Sequence, residues 1–328
     1  MLNKIYDKTK KIIKNNLGFI ITLFVLFLLF NIELPYYINA PGSLINLEDK
    51  TNIDSTLSGS YNMTYVTEYK SNIFNYILSF IIPNWDLEKK EEVILSNETE
   101  EDMNNRSHLL LKEGNQVAII NAYKLANKKI NIKNSTVYVT YIDKSANTSL
   151  NVSDEIKKVD NIAVTNLEDI NEIIRNKNYG DIIAIETQNG IKEATIINFK
   201  NEKKIGISLS IVYELETDIE FKFKNNESGS SGGLMTTLYI YNSLINEDLT
   251  KGRTVSGTGS IDINGNVGEI SGVKYKLIGA VKEKADIFFV PSGQNYEEAI
   301  KEKKENNYDI EVVEVKTLSD AIKYLESR

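Results

Sequence analysis

The sequence predicts an α+β protein with about two folded domains behind one N-terminal membrane-spanning helix. Three observations carry this expectation. The chain of 328 residues exceeds the length at which a single hydrophobic core usually divides. Apolar residues recur with a helical period in some stretches, and elsewhere alternate or form short solid runs, so helices and strands are both expected. Residues Asn15 to Ile32 carry no charge and are dominated by Leu, Ile and Phe; that is about the shortest run that crosses a bilayer.

The N-terminal tail, residues 1–14, holds Lys4, Lys8, Lys10, Lys11 and Lys14 against Asp7. Such a basic flank keeps the N-terminus cytoplasmic, with 15–33 as the anchor and the remainder outside the cell membrane in a single-pass arrangement. A cleavable signal peptide shares the basic start and apolar core. This apolar run is longer than a typical signal core, however, and Glu33 to Gly42 lacks a clean small-x-small site. Tyr36 and Tyr37 suit an interfacial aromatic anchor. Removing the tail's five lysines and one aspartate from 38 basic and 46 acidic residues leaves a net charge of −12, which argues against nucleic acid as a partner.

The exterior opens with a turn at Pro41-Gly42 and a strand within Leu57 to Thr67. Ile73 to Ile82 is strongly apolar but too short to span a membrane, and reads as a buried helix more readily than an interfacial one. Glu88 to Glu113 is charged, in surface loop or helix, and Val117, Ile120, Ala122, Tyr123 and Ala126 give a helical stripe. In the middle third, Val137 to Ile142 is a strand, and Asp154 to Asp160 with Ile162 to Val164 a short hairpin. Leu167 to Arg175 is a helix capped by Asn166, and a strand pair turns about Asn189-Gly190. Further on, Lys204 to Leu209 and Ile219 to Lys224 read as strands. Leu234, Leu238, Tyr241 and Ile245 form one helical stripe, Asp286 to Pro291 and Glu311 to Val315 are strands, and Thr317 caps a last helix.

The chemistry concentrates between Asn225 and Lys276. A serine on the glycine-rich turn Gly229-Ser-Ser-Gly-Gly, at a helix start, has an uncrowded hydroxyl and free backbone N–H groups nearby. With no cysteine and one histidine, a cysteine nucleophile and a multi-histidine metal site are excluded. A Ser/His/Asp triad would have to use His108, in a polar stretch that reads as solvated surface. The remaining base is a lysine that burial renders neutral, and Lys276 lies on an apolar helical face with Val273, Leu277 and Ala280.

Gly229-Ser-Ser-Gly-Gly-Leu-Met, Thr258-Gly and Ile270-Ser-Gly-Val-Lys-Tyr-Lys resemble the Lon proteolytic domain, with its Gly-Pro-Ser-Ala-Gly and Ile-Gly-Gly-Leu-Lys-Glu-Lys motifs. The resemblance implies that Ser231 is the nucleophile, Lys276 the base and Thr258 a hydrogen-bonding support, with Gly229, Ser230 and Gly232 shaping the oxyanion loop. Ser230 replaces the family's proline and Gly232 its alanine, and both changes loosen the loop. The middle third resembles a PDZ domain, although the usual glycine before Asp154 is Ser153 and no Gly-Leu-Gly-Phe pattern stands near Ile142 to Ser149. Together with the anchor, the chain resembles membrane-anchored PDZ-Lon proteases of Gram-positive bacteria. Its expected parts are 34–134, the N-terminal part of the Lon-like region; 135–203, PDZ-like; and 204–328, the proteolytic domain. The implied function is an ATP-independent serine endopeptidase acting on peptides or proteins, with no cofactor or metal; no ATP is implied because no Gly-x-x-x-x-Gly-Lys-Ser/Thr loop occurs. A homo-oligomer is left open. The alternative is an inactive Lon-like scaffold that binds partner proteins at the membrane.

Overall fold

The computed structural model describes residues 2–245 and 247–328, with the side chains of 2–4 left aside. Met1 and Asn246, which belong to the tail and the proteolytic domain of the sequence analysis, lie outside the described residues. The chain divides into two compact units, residues 1–41 with 67–93 and residues 42–66 with 94–328.

The first unit starts with helices α1 (Leu2–Asn15) and α2 (Leu17–Asn31). The uncharged run is therefore not one continuous helix, which corrects the expected span at 15–33. The chain breaks at Asn16, whose side-chain amide donates back to Ile12 O at 2.8 Å, in a stretch where Asn15, Asn16 and Gly18 all have low helix propensity. The two helices meet at 70°. Among the described residues no single helix is long and apolar enough to cross a membrane, but the bent pair Ile5–Asn15 and Leu17–Asn31 passes by length and composition. Strands β1 (Glu33–Asn46) and β2 (Ser60–Asn72) follow, of which 33–41 and 67–72 belong to this unit and 42–46 and 60–66 to the second, then α3 (Ile73–Ser79), β3 (Asp86–Lys89) and α4 (Lys90–Val93). Strand β3 pairs antiparallel with the start of β1, Tyr36 opposite Lys89. Helix α3 is not the buried helix expected: it has no buried residue, and Phe80 and Ile81 after it are each 71% exposed. Its apolar surface is too great for the few neighbours available.

The second unit is mixed α+β. Helix α5 (Glu100–Leu125) is capped by Thr99, whose hydroxyl accepts from Asp102 N while the Asp102 side chain returns to Thr99 N. From Glu100 the charged stretch before Glu113 is thus a helix, and only the half from Gly114 onward is buried. Strands β4 (Ile132–Ile142), β5 (Glu155–Val159) and β6 (Ile162–Ala163), helix α6 (Leu167–Arg175), and strands β7 (Ile182–Thr187), β8 (Gly190–Thr195), β9 (Ile197–Phe199), β10 (Glu202–Lys204) and β11 (Ile207–Leu215) make up the middle third. The sheet order is β11-β4-β5-β7-β8, with β6 beside β5, over a core that includes Val137, Ile156, Ile170, Ile183 and Ile185. Asn166 caps α6 as the sequence indicates, through a reciprocal box with Asp169. Strand β11, attributed from sequence to the following domain, runs antiparallel to β4 from Ile207 opposite Ile142 to Leu215 opposite Ile132.

Ile219 to Lys224 does not become a strand, contrary to its alternating pattern. It is extended but makes only one isolated bridge, Phe221 with Thr51. The remaining elements are α7 (Gly233–Leu244), β12 (Thr254–Gly257), β13 (Ser260–Ile261), β14 (Val267–Gly268), α8 (Val273–Lys282), β15 (Ile287–Pro291), α9 (Gln294–Asn306), β16 (Glu311–Val315) and α10 (Leu318–Ser327). Strands β16, β15, β12 and β2 are parallel neighbours in that order. Every residue of β15 is buried, because helices cover both faces. Ile287 and Phe289 pack in one core with Leu234, Met235 and Leu238 of α7, while Phe288 and Val290 pack in another with Val273, Leu277 and Ala280 of α8. Helix α7 is buried on almost every side, from Gly233 to Ile240, rather than along the single stripe the spacing suggests. The sheet therefore holds α7 and α8 on fixed sides of β12.

Candidate active site

Strand β12 ends at Gly257, and the residues just past it join the two helices. Thr258 is fully buried and its N–H donates to Phe289 O at 2.9 Å, which fixes it at the end of the parallel strands. Its hydroxyl donates to Ser231 O at 3.1 Å and accepts from Lys276 Nζ at 3.2 Å. Gly259 N also donates to Ser231 O, at 2.8 Å, and Leu234 N to Gly259 O at 3.0 Å. The 258–259 backbone thereby straps the start of α7, and Ser231 and Lys276 each lie one hydrogen bond from the same hydroxyl. No hydrogen bond joins Ser231 Oγ directly to Lys276 Nζ among the described residues.

Lys276 is 4% exposed and has no carboxylate beside it among the described residues. Burial pushes its pKa from the ordinary 10.5 down to about 8. One acceptor for an ammonium that can donate three hydrogen bonds leaves the charged form poorly served, which acts in the same direction. Two features place α8. Gly272, immediately before it, has φ +72°, and a Cβ there would stand 2.6 Å from Val66 Cγ2. Asn295 Oδ1 accepts from Ile270 N at 2.8 Å and its Nδ2 donates to Ile270 O at 2.9 Å, so one buried amide clamps the lead-in to the lysine helix. No local signal in the sequence marks Asn295, which acts from the next helix.

The loop around Ser231 is shaped by close packing. Gly229 has φ +90° and its N–H donates to Ser107 O at 3.0 Å. That bond removes Gly229 from the expected oxyanion donors and makes it the residue that turns the loop. The N–H groups of Ser230, Ser231 and Gly232 make no hydrogen bond among the described residues and are the donors available to an anion at the start of α7. A Cβ on Gly232 would lie 2.6 Å from Met63 Sδ, so an alanine there, as in the resembling motif, needs the Met63 side chain of β2 to shift. Gly114 of α5 faces Ser230, with 3.4 Å between its would-be Cβ and Ser230 Cβ. Ser107 and Gly114, more than a hundred residues upstream, thus support the loop and were not identified from sequence. His108 is exposed on α5, as expected for a solvated residue. No cluster of three or more His, Asp or Glu that could hold a metal occurs among the described residues.

Residues 222–327 match the family model of the Lon protease (S16) C-terminal proteolytic domain. Ser231, Thr258 and Lys276 all fall within this Lon-type domain, whose presence implies serine protease activity. No curated protein matches the chain.

Proposed function

We propose that the chain is a membrane-anchored, ATP-independent serine endopeptidase in which Lys276 is the general base for Ser231. The observation that carries this reading is a buried lysine without a counter-ion among the described residues, its pKa lowered to about 8, sharing the Thr258 hydroxyl with Ser231 just before α7. A buried amine of this kind costs folding free energy, and such groups concentrate at functional sites. In the reaction, the lone pair of neutral Lys276 takes the Ser231 hydroxyl proton as Oγ attacks the scissile carbonyl carbon. The N–H groups of Ser230 to Gly232 receive the oxyanion. The Lys276 ammonium then gives the proton to the leaving amine; in the second half, neutral Lys276 takes a proton from water as the water oxygen attacks the acyl carbon, and passes it to Ser231 Oγ as the ester bond breaks. Thr258 orients Nζ and the loop together.

The basic tail and the bent α1–α2 pair support anchoring at the cell membrane with the N-terminus cytoplasmic. An exterior location, together with the lack of a nucleotide-binding Gly-x-x-x-x-Gly-Lys-Ser/Thr loop, supports independence from ATP. The middle sheet fits a PDZ-like module that selects peptide or protein substrates. A second reading, a non-catalytic scaffold at the membrane, is favoured by the missing Ser231 Oγ to Lys276 Nζ hydrogen bond. Cleavage of labelled casein by the purified full chain without ATP, compared with Lys276→Met, separates the two: the peptidase requires activity that the substitution abolishes, whereas the scaffold cuts nothing.

A further inference from the structure

Beside the Ser231 loop, a cavity of about 620 Å³ opens between helix α5, strands β4 and β11, and the extended segment 217–221. Its size is that of a ligand site rather than a packing defect. Leu111, Ile119, Val212, Leu215, Ile219 and Phe221 give it apolar walls. Among these stands Asn115, only 8% exposed, whose side-chain amide has no hydrogen-bond partner among the described residues. Its amide atoms keep access to the cavity rather than being sealed in the core, so whatever fills the cavity supplies their hydrogen bonds.

The segment on the opposite wall adds a second unmet pair. In the bridge to Thr51, Lys222 N donates to Lys50 O and Asn52 N to Glu220 O, so the even-numbered residues face that neighbour. The N–H and C=O of Phe221 point to the other edge and are unpaired among the described residues. This extended backbone leads into the glycine-rich loop, and Phe221 precedes Ser231 by ten residues. The opposite wall, α5, holds that loop through Ser107 O and Gly229 N.

We propose that this cavity binds an extended segment of the polypeptide substrate, with a peptide group against Asn115 and backbone pairing at Phe221, and an apolar side chain seated between Leu111 and Ile219. A polypeptide supplies a donor and an acceptor to each of these two positions; an acyl chain or other apolar ligand would leave both unmet. The assignment rests on the peptidase reading for what the segment belongs to, but its test does not require cleavage.

The test uses full-length Ser231→Ala protein in detergent micelles and the anisotropy of fluorescein-labelled, denatured casein. Adding Asn115→Leu should weaken binding at least tenfold, and Thr136→Trp, which fills the cavity from β4, should do the same; melting curves identify the variants that remain folded. Folded variants that bind casein as tightly as their Ser231→Ala parent would overturn the proposal, as would a parent that binds no casein. Fluorescence of cis-parinaric acid rising on the parent, with casein binding undisturbed by it, would assign the cavity to an acyl chain and equally overturn it. Wild-type cleavage, assayed separately, reports on Ser231 and Lys276, so a peptidase whose casein binding ignores both substitutions loses this site and keeps its activity.

Discussion

Replacing Lys276 by methionine should kill the enzyme and stabilise the protein, and both effects follow from the same burial. The amine is held at about 8 against an ordinary 10.5. At 1.36 kcal/mol per pKa unit, this amounts to a penalty of about 3 kcal/mol on the folded state when the amine is charged in both states. The sign is that of a depressed base: the penalty is full below the folded pKa of about 8, shrinks as pH rises from there towards 10.5, and vanishes above it. Lys276→Met preserves length and apolar packing while removing the charge. Urea unfolding at pH 7 should therefore show a gain of up to about 3 kcal/mol, falling towards zero near pH 10.5. The catalytic consequence has its own pH dependence. Only about a tenth of a base with pKa 8 is neutral at pH 7, so wild-type kcat/KM should rise about tenfold per pH unit below 8 and level off above it. A stability gain of Lys276→Met over wild type that is no larger at pH 7 than at pH 10 would refute the burial argument, and a variant that still cleaves casein would refute the base assignment.

Thr258→Val removes the hydroxyl that both Ser231 O and Lys276 Nζ use; kcat should fall by about 10- to 100-fold, with the acid limb of the pH profile moved downward and Thr258→Ser largely restoring both. Unchanged profiles would remove Thr258 from the site. Gly232→Ala should cost about 1 kcal/mol or less in thermal or urea unfolding, because its Cβ would meet only the flexible Met63 Sδ, at 2.6 Å; a loss above about 3 kcal/mol would show that Met63 cannot give way. For topology, external protease on intact cells should remove the domain bearing Ser231 while a tag on the basic tail remains protected; a released soluble form starting near Ala40 would instead show a cleaved leader.

The elements legible from sequence are those whose cause is local. Asn166 and Thr317 announce their helices because each cap is closed within three residues, by Asp169 and Asp320. Strand β15 is plain because an unbroken apolar run of that length fits a sheet covered on both faces. The burial of Lys276 is readable from the apolar residues that share its helix face. Helix α5 carried a local signal as well, Thr99 before three acidic residues, but its charged first half hides the apolar period that begins at Gly114. What escaped the sequence depends on distant partners. Ser107, Gly114 and Met63 reach the Ser231 loop from elements far upstream, and Asn295 holds Ile270 from the next helix. Alternation in Ile219 to Lys224 records that one face is buried, not that another strand is present along its length, so it cannot separate a strand from a lone extended segment. The uncharged run at 15–32 likewise gives hydrophobicity without continuity, and Asn16 interrupts the helix.

The most direct test of the central claim is casein cleavage by purified full-length protein at pH 8.5 without nucleotide, set beside Ser231→Ala at equal folded concentration. Cleavage by the wild type and none by Ser231→Ala is the predicted result. Equal cleavage by the two would show that Ser231 is not the nucleophile, and no cleavage by either would leave the scaffold reading in its place.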